Sequence, residues 1–341
     1  MLVIGGGWFL GREIVACVIG KGCDVTVFSR GRTAAPPPGV SWVRGDREDR
    51  SDLRQLARRG PWDAVIDVPG SVPAVVRESA RILSAAASRY VFVSTVSVYQ
   101  DWPYVPVDES SRLWPADPDY DPGTRAWDAD AYGPLKAGCE LAVLREFGAD
   151  RSLFVRCHVL LGPGEYVGRL PSWLRRIREG GRVLAPAPPS RSIQPADVRD
   201  AAAFTAGLAW RQVTGVFNVA APAGRDTYGA MLDSCNRVTG GRADITWADE
   251  RWLEARQVRQ WTELPLWRTL PDAWTMSTAR AQAAGLQSRP LHHTVSDTWD
   301  WLRCGGEPVG HERAAEHGIS RERETQLLAE WDRHLVQSDP W

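Results

Sequence analysis

The sequence predicts an α/β fold, with a doubly wound parallel sheet and a smaller lobe at its C-terminal edge. Over the first 95 residues, short apolar runs alternate with helical patterns, beginning with a run at 2–4 and a helix from about 13. Helices near 130–147 and 198–210, with apolar runs at 153–155 and 216–219, continue this alternation. Strands separated by helices of this length pair in parallel through right-handed crossovers. From about residue 228, helices mixed with short strands and proline turns indicate the separate lobe.

Composition and charge exclude several classes of protein. The chain has 341 residues, 24% of them charged, and a formal net charge of −1, so no electrostatic feature favours nucleic acid or a membrane surface as a partner. Its apolar runs are shorter than the roughly 18 residues of a membrane span, and the N-terminal segment lacks a secretory pattern. Six cysteines without a C-x-x-C pair indicate reduced thiols. We therefore expect a cytoplasmic protein.

A glycine-rich turn follows the first predicted strand and opens into a helix. Glycines in this context let the backbone approach a pyrophosphate, while the helix N-terminus offers unpaired N–H groups to the anion. The context predicts a dinucleotide site, although glycines also serve tight turns that bind nothing. The predicted contacts are Gly5, Gly6, Gly7, Trp8, Phe9, Leu10 and Gly11.

The end of the second strand indicates which dinucleotide is bound. NAD sites usually place an acidic residue there for the ribose hydroxyls, whereas this strand is followed by Ser29, Arg30 and Arg32. Guanidinium groups suit a 2′-phosphate, so we expect NADP, with NAD as the alternative. The two arginines could instead be solvated loop charges in an arginine-rich chain. Asp46, after the third strand, is placed to accept a hydrogen bond from an adenine amino group, although a turn-forming role is equally economical.

A phenol and an ammonium lie four residues apart at Tyr132 and Lys136, and therefore on one face of a helix. A nearby ammonium favours the phenolate and lowers the phenol pKa toward a range useful for proton transfer. The only lysines among the 41 basic residues are Lys21 and Lys136, so an arginine-biased chain has kept a lysine here. Arginine could not substitute, because its fork-shaped guanidinium does not fit the space of a compact ammonium.

Three hydroxyl side chains, Ser94, Thr95 and Ser97, stand at the end of the fifth strand. Ligands of open parallel sheets bind outside the carboxyl ends of the strands, where these hydroxyls are expected. Any one of them could instead bond to the backbone of the turn. Position favours Thr95 as the partner of the phenol.

Together, the glycine turn, the segment 94–99 and the Tyr132/Lys136 pair resemble the extended short-chain dehydrogenase/reductases, specifically the NAD-dependent epimerase/dehydratase-like branch, over about residues 2–225. The resemblance implies a Rossmann-type domain at 1–165 plus about 191–225. It further implies a substrate-binding lobe at about 166–190 and 226–310, followed by a helical extension at 311–341. Homodimers that pair through two helices are common in the family, so a homodimer is one option.

The resemblance also assigns roles to residues. It implies Tyr132 as general acid/base, Lys136 as its partner that also binds the cofactor ribose, and Thr95 as the hydroxyl that orients the substrate oxygen. Further cofactor contacts would come from Ser94 and from Val68, Pro69 and Gly70, which replace the commoner alanine-rich segment. Substrate contacts would come from Ser97, Trp102 and Arg191. By their position, Trp114, Trp127 and Trp173 also flank the predicted cleft, although packing is the commoner role of such side chains.

One departure from the family pattern concerns the turn itself. Trp8 stands where a glycine is usual, so the indole must point away from the pyrophosphate or cover it. No histidine has companion ligands at metal spacing, and no metal is expected.

These observations predict an NADP-preferring oxidoreductase that acts on a carbonyl or alcohol carbon of a small, sugar-like or nucleotide-like metabolite. Two alternatives stay open: an epimerase that retains its cofactor through each turnover, and a regulatory protein that binds the cofactor without turnover.

Overall fold

The structure is a computed structural model, and it describes residues 1–32, 35–123, 128–307 and 317–338. Its centre is a seven-stranded sheet in which every neighbouring pair of strands is parallel. The strands are β1 (Leu2–Ile4), β2 (Thr26–Ser29), β3 (Ser41–Arg44), β4 (Val65–Asp67), β5 (Tyr90–Thr95), β6 (Ser152–Cys157) and β11 (Gly215–Val219). Their order is β11-β6-β5-β4-β1-β2-β3, so the direction of winding reverses between β1 and β4.

Helices cover both faces of this sheet. They are α1 (Phe9–Gly20), α2 (Arg50–Ala57), α3 (Pro73–Leu83), α4 (Ala129–Phe147) and α6 (Val198–Trp210). Alternate side chains of each strand enter different cores, because successive strand residues point to opposite faces. Val3 packs with α1 and α6, whereas Leu2 and Ile4 pack with α2, α3 and α4.

The remaining elements build a separate core. Its strands β8 (Gly181–Pro186) and β13 (Ala243–Ala248) pair in parallel. The helices around them are α5 (Arg169–Arg178), α7 (Tyr228–Thr239), α8 (Glu250–Ala255), α10 (Leu291–Arg303) and α11 (Arg321–Ser338). This core is rich in buried tryptophan, with Trp173, Trp252, Trp267, Trp274 and Trp331 among its members.

Short elements connect the two parts. Strand β7 (Leu160–Leu161) pairs with β10 (Ala196–Asp197), β9 (Ser192–Ile193) pairs with β12 (Asp226–Thr227), and α9 (Ala279–Ala283) packs against β11. Two single-turn 3-10 helices occupy Val96–Val98 and Ala149–Arg151.

The fold class expected from the sequence is confirmed, since the sheet is parallel and doubly wound. The helix expected at 249–258 is shorter, Glu250–Ala255, because Gln257 takes a positive φ of 57° that ends it. The long segment after β5 is a loop over its described part, 100–123, and Val107 pairs with Met276 across the two parts of the chain. Trp127 lies outside the described residues, as do 311–316 and 339–341 of the expected C-terminal extension.

Candidate active site

The glycine turn connects β1 to α1 at the point where the winding of the sheet reverses. A Cβ atom on Gly11 would lie 2.0 Å from the carbonyl oxygen of Gly5, so only glycine permits this approach of helix to turn. Trp8 is the residue before α1, and its indole has no acceptor for the first N–H groups of the helix. A backbone cradle with uncapped N–H groups at a helix N-terminus fits the pyrophosphate of a dinucleotide.

Trp8 also contacts a residue that is distant in the sequence. Its ring packs on that of Tyr166, with ring centroids 4.4 Å apart and planes inclined by 46°. Tyr166 belongs to the loop between β7 and α5, so the glycine turn contacts the start of the second part of the chain.

The residues expected at the adenosine end lie beyond β2 and β3. Ser29 accepts a hydrogen bond from Trp42 Nε1 at 3.2 Å. Arg30 lies 3.8 Å from Asp46, with about half of its side chain exposed (49%), and Arg32 is exposed. Asp46 also accepts from the Glu48 N–H at 3.1 Å, which is the turn-forming role considered above. The structure therefore brings Arg30 and Asp46 together and leaves both arginines accessible.

The segment after β4 lies between the glycine turn and α4. The N–H of Val68 donates to the carbonyl of Ile4 at 3.2 Å, which keeps the ends of β4 and β1 together. Pro69 is exposed, and Gly70 is buried with its carbonyl directed to Lys136. Ser94 is buried at the end of β5, and its hydroxyl has no hydrogen-bond partner among the described residues. A buried hydroxyl without a partner is a position where a bound ligand could supply one.

Thr95 is the last residue of β5 and is 9% exposed. Its hydroxyl accepts a hydrogen bond from the N–H of Ser97 at 3.2 Å and lies 3.4 Å from the Ser97 hydroxyl. The local reason is that Thr95 caps the 3-10 turn Val96–Val98. The two hydroxyls thus form a pair at the carboxyl end of the sheet.

Helix α4 approaches this pair closely. A Cβ atom on Gly133 would lie 2.3 Å from the carbonyl oxygen of Ser97, so a side chain at that position would force the helix away. Tyr132 directly precedes Gly133 and is partly buried. The start of α4, which carries Tyr132, is therefore packed against the turn that follows Thr95.

Lys136 is buried, and its ammonium donates hydrogen bonds of 2.7 Å to the carbonyls of Gly70 and Val93. It also lies 4.1 Å from the ring centroid of Phe92. Burial lowers the pKa of this lysine, while the nearby thiol of Cys139 and the carboxylate of Asp67 oppose that shift. An ammonium has three N–H donors, and the two carbonyls of the described residues use two of them.

Further along α4, Glu140 continues the spacing of four that joins Tyr132 to Lys136. Its carboxylate forms a two-point ion pair with Arg156 of β6, at 2.9 and 2.6 Å. Arg156 also donates to the Tyr99 hydroxyl at 3.0 Å, and that hydroxyl donates to Asn218 at 2.6 Å. This buried network was not predicted from the sequence, although the repeated spacing of four on one helix could have indicated it.

Arg191, expected to contact substrate, forms an ion pair with Glu250 and donates to the carbonyl of Arg268 at 3.3 Å. Trp102 lies nearby, with its indole N–H 3.4 Å from the carbonyl of Ala273. The guanidinium of Arg268 lies 5.5 Å from the Trp102 ring centroid and 4.2 Å from that of Trp261. The carboxylate of Glu250 therefore balances the positive charge of Arg191.

Arg268 was not singled out in the sequence. No carboxylate of the described residues forms an ion pair with it, and its buried Nε has no hydrogen-bond partner among them. Burial, with the neighbouring charge of Arg169, lowers the pKa of Arg268 to about 10. A largely buried cation without a carboxylate is suited to an anionic ligand.

His158 follows β6 at the same edge of the sheet. Its ring stacks on Trp274 at 5.0 Å, its Nε2 lies 2.8 Å from the Ala273 carbonyl, and its Nδ1 accepts from the Val159 N–H at 2.8 Å. Burial lowers the pKa of His158 to about 4. The ring is therefore neutral at pH 7. It binds the backbone of Val159 and Ala273 and does not act as a proton-transfer group.

Over the described ranges, no group of three or more His, Cys, Asp or Glu side chains is arranged to hold a metal ion. None of the helices in those same ranges is both long enough and apolar enough to cross a bilayer.

The structure thus combines a doubly wound parallel sheet, a glycine turn after β1 and a helix with a Tyr-x-x-x-Lys spacing beside the end of β5. The model of the NAD dependent epimerase/dehydratase family matches residues 1–220, and the chain belongs to this family. The resemblance stated from the sequence is thereby confirmed, as is the expectation of an enzyme.

Solved structures with the same fold are distant in sequence. The UDP-glucose 4-epimerase of Thermotoga maritima, solved with UDP-glucose, is 18% identical with a TM-score of 0.65, covering 90% of this chain and 99% of that one. The enzyme WbmH of Bordetella bronchiseptica, solved with NAD+, is 16% identical with a TM-score of 0.67, covering 90% and 99%. An epimerase of Methanothermobacter thermautotrophicus is 14% identical with a TM-score of 0.67, covering 89% and 92%. Comparison with curated proteins finds no match.

Proposed function

We propose that this protein is an NADP-preferring enzyme that moves a hydride to or from a carbon bearing a hydroxyl or carbonyl, with Tyr132 as its general acid/base. One observation carries the proposal. Tyr132 and Lys136 share a face of α4, and the start of that helix packs against Ser97, two residues after Thr95. This arrangement supports a site in which a proton donor, a cation and an orienting hydroxyl act at one edge of the sheet, where ligands of such folds bind.

The chain's own residues would hold the dinucleotide along this edge. The turn Gly5–Gly11 and the first N–H groups of α1 would bind the pyrophosphate. Arg30 and Arg32 would bind a 2′-phosphate, and the buried Ser94 hydroxyl and the remaining Lys136 donor would face the nicotinamide end. When bound, the nicotinamide supplies the carbon that accepts or returns the hydride.

Within this site, Tyr132 holds or releases a proton at its phenolic oxygen. Lys136 favours the phenolate. Its hydrogen bonds to the carbonyls of Gly70 and Val93 keep the ammonium in place while the phenol gains or loses its proton. The hydroxyl of Thr95 would orient the substrate oxygen toward the phenol. Ser97 shares that hydroxyl pair and would be the next substrate contact.

The substrate we propose carries an anionic group. Arg268 faces two indole rings with no carboxylate of the described residues to balance it, and Trp102 connects it to the loop that follows β5. The tryptophan-rich core would form the substrate-binding lobe. Nucleotide sugars, such as the UDP-glucose bound by the Thermotoga maritima enzyme, have the required combination of diphosphate and hydroxyl-bearing carbon.

A second candidate is an epimerase in which the cofactor is retained and no net oxidation occurs. The solved structures of similar fold favour it, because several are named as epimerases. The two activities differ in one measurable quantity, since a net reductase consumes one reduced cofactor per product and an epimerase consumes none.

The test is the variant Tyr132→Phe, which removes the phenolic proton and keeps the ring. We expect turnover of nucleotide sugars or small carbonyl substrates to fall about 10²- to 10⁴-fold while NADPH affinity changes little. Tyr120→Phe, at an exposed tyrosine, is the matched control. Unchanged turnover in Tyr132→Phe would remove the proposed role.

The cofactor preference has its own test. Arg30→Met should weaken binding of NADPH about tenfold or more and leave NADH unaffected, because a charged hydrogen bond to phosphate contributes about 1.5–3 kcal/mol. The exposed Arg58→Met is the control. Equal loss for both cofactors would contradict the proposed 2′-phosphate contact.

A further inference from the structure

Tyr166 lies at the junction between the glycine turn and the second part of the chain. Its ring contacts Trp8 at a centroid distance of 4.4 Å and contacts Phe9 edge-on at 5.9 Å, with planes inclined by 78°. Trp8 and Phe9 are the residues at which α1 begins. The side chain of Tyr166 is therefore placed against the same helix end whose N–H groups would bind the pyrophosphate.

Glu165, the residue before Tyr166, fixes the loop that carries Tyr166. Glu165 is 1% exposed, and its carboxylate accepts hydrogen bonds from the N–H groups of Arg169 and Leu170 at 2.8 and 3.1 Å. A carboxylate at the first turn of α5 also interacts favourably with that helix end. These hydrogen bonds hold the loop that carries Tyr166 in place.

The backbone of the turn is shaped for the same contact. Phe9 has φ of 33°, in the left-handed region that residues other than glycine rarely adopt. Such a conformation persists only where surrounding contacts hold it, and it is often found at ligand sites. The rings of Trp8, Phe9 and Tyr166 are the contacts that this backbone brings together.

We propose that Tyr166 is a cofactor-retaining residue, which with Trp8 forms an aromatic clasp over the pyrophosphate of the dinucleotide. The inference rests on the cofactor binding proposed above. Trp8 belongs to the glycine turn, and Tyr166 belongs to the loop that precedes α5. The two rings must therefore separate before the dinucleotide dissociates. Retention of this kind is what an epimerase cycle requires, because the hydride must return to the substrate before the cofactor dissociates.

The experiment measures release of the cofactor from the full chain. NADPH is bound to the protein, an excess of NADP⁺ is mixed in, and the loss of bound-NADPH fluorescence gives the dissociation rate constant. For Tyr166→Ala we expect release about 3- to 10-fold faster than in the wild type, from the loss of one aromatic stack. Tyr166→Phe, which keeps the ring, should release at the wild-type rate, and Tyr120→Ala is the control for a tyrosine-to-alanine change elsewhere.

A double-substitution cycle makes the test specific to the pair. Trp8→Leu should accelerate release as Tyr166→Ala does, and the double variant should be no faster than either, because each breaks the same stack. Trp8→Leu and Tyr166→Leu carry the test should Tyr166→Ala not fold, which thermal unfolding reveals. Release within twofold of wild type in the folded variants, or additive effects, would overturn the clasp alone. Absence of NADPH and NADH binding to the wild type by calorimetry would overturn both the clasp and the proposed function.

Discussion

Glu140 and Arg156 form a two-point ion pair inside the protein, and this pair joins the helix of Tyr132 and Lys136 to the sheet. Both partners are at most 5% exposed. Because Tyr132, Lys136 and Glu140 follow one another at intervals of four, they lie along one face of α4, and a contact at Glu140 fixes the position of the other two. The ion pair therefore sets where the phenol and the ammonium stand relative to β5 and β6.

We expect Arg156→Met to lower the free energy of unfolding by about 3–5 kcal/mol, because it leaves the Glu140 carboxylate buried without its partner. Urea unfolding measures the change. The double variant Arg156→Met/Glu140→Met should lose much less, since no buried charge is left. The exposed pair Arg112–Asp101 provides a control, where Arg112→Met should leave stability unchanged. A loss below 1 kcal/mol for Arg156→Met alone would show that the pair does not fix α4.

The variants Gly11→Ala and Gly20→Ala test whether the glycine turn needs a glycine at position 11. Both residues lie in α1, so the second variant is a control within the same helix. At Gly11 the new methyl group would overlap the Gly5 carbonyl oxygen, whereas at Gly20 nothing lies within 4 Å of the position. We expect Gly11→Ala to abolish NADPH binding measured by calorimetry and to lower the melting temperature. Gly20→Ala should bind normally and be neutral or slightly more stable, because alanine restricts the unfolded chain. Normal binding by a folded Gly11→Ala protein would contradict this account of the turn.

Arg268→Met should separate stability from binding. Removing a buried cation that lacks a carboxylate relieves its desolvation, so the melting temperature of the free protein should stay or rise. Binding of UDP, measured by calorimetry, should weaken about tenfold or more through loss of a charged hydrogen bond. Arg178→Met, at an exposed arginine beside Trp299, is the matched control. A less stable Arg268→Met protein with unchanged UDP affinity would assign Arg268 a packing role.

His158 should make the protein less stable in mild acid. Its pKa is about 4 in the native state against an ordinary value of 6.5, so between these pH values the unfolded chain binds a proton that the native protein does not. The free energy of unfolding contributed by His158 therefore falls as pH drops from 6.5 to 4, by roughly 3 kcal/mol.

Glu165 has the opposite effect, because burial raises its pKa from 4.5 to about 6 and the native state binds the extra proton. The comparison of His158→Gln with wild type removes this shared contribution. We expect the difference in stability between the two proteins, from urea unfolding, to change with pH over the interval 4 to 6.5. A difference that does not vary with pH would mean that His158 is protonated in the native protein.

The parts of the site that could be predicted from the sequence are those that short segments carry by themselves. The glycine turn, the hydroxyls at the end of β5 and the Tyr132/Lys136 pair each depend on spacing within about ten residues. Local geometry fixes such spacing, since a helix places residues four apart on one face. The fold class followed in the same way from the alternation of apolar runs and helical patterns.

Contacts that depend on the packing of distant segments could not be predicted this way. Tyr166 meets Trp8 only because β7 and its following loop return to the first βα turn, and no local pattern records that return. Arg268 looks like one more arginine in an arginine-rich chain until its neighbours are known to be indole rings. The resemblance implied a substrate contact at Arg191, but it carried no information about Glu250, which lies on helix α8.

The docking of α11 has a consequence for how the chain is assembled. Glu324 is 1% exposed and accepts from the Leu184 N–H at 3.0 Å and from Arg176 at 2.6 Å, while Trp331 completes the core around β8. On the ribosome, the seven-stranded sheet can close once β11 has emerged, but the tryptophan-rich core stays open until α11 follows. We expect nascent chains arrested before α11 to resist protease only over their N-terminal part, so the half that contains the seven-stranded sheet would mature first during synthesis.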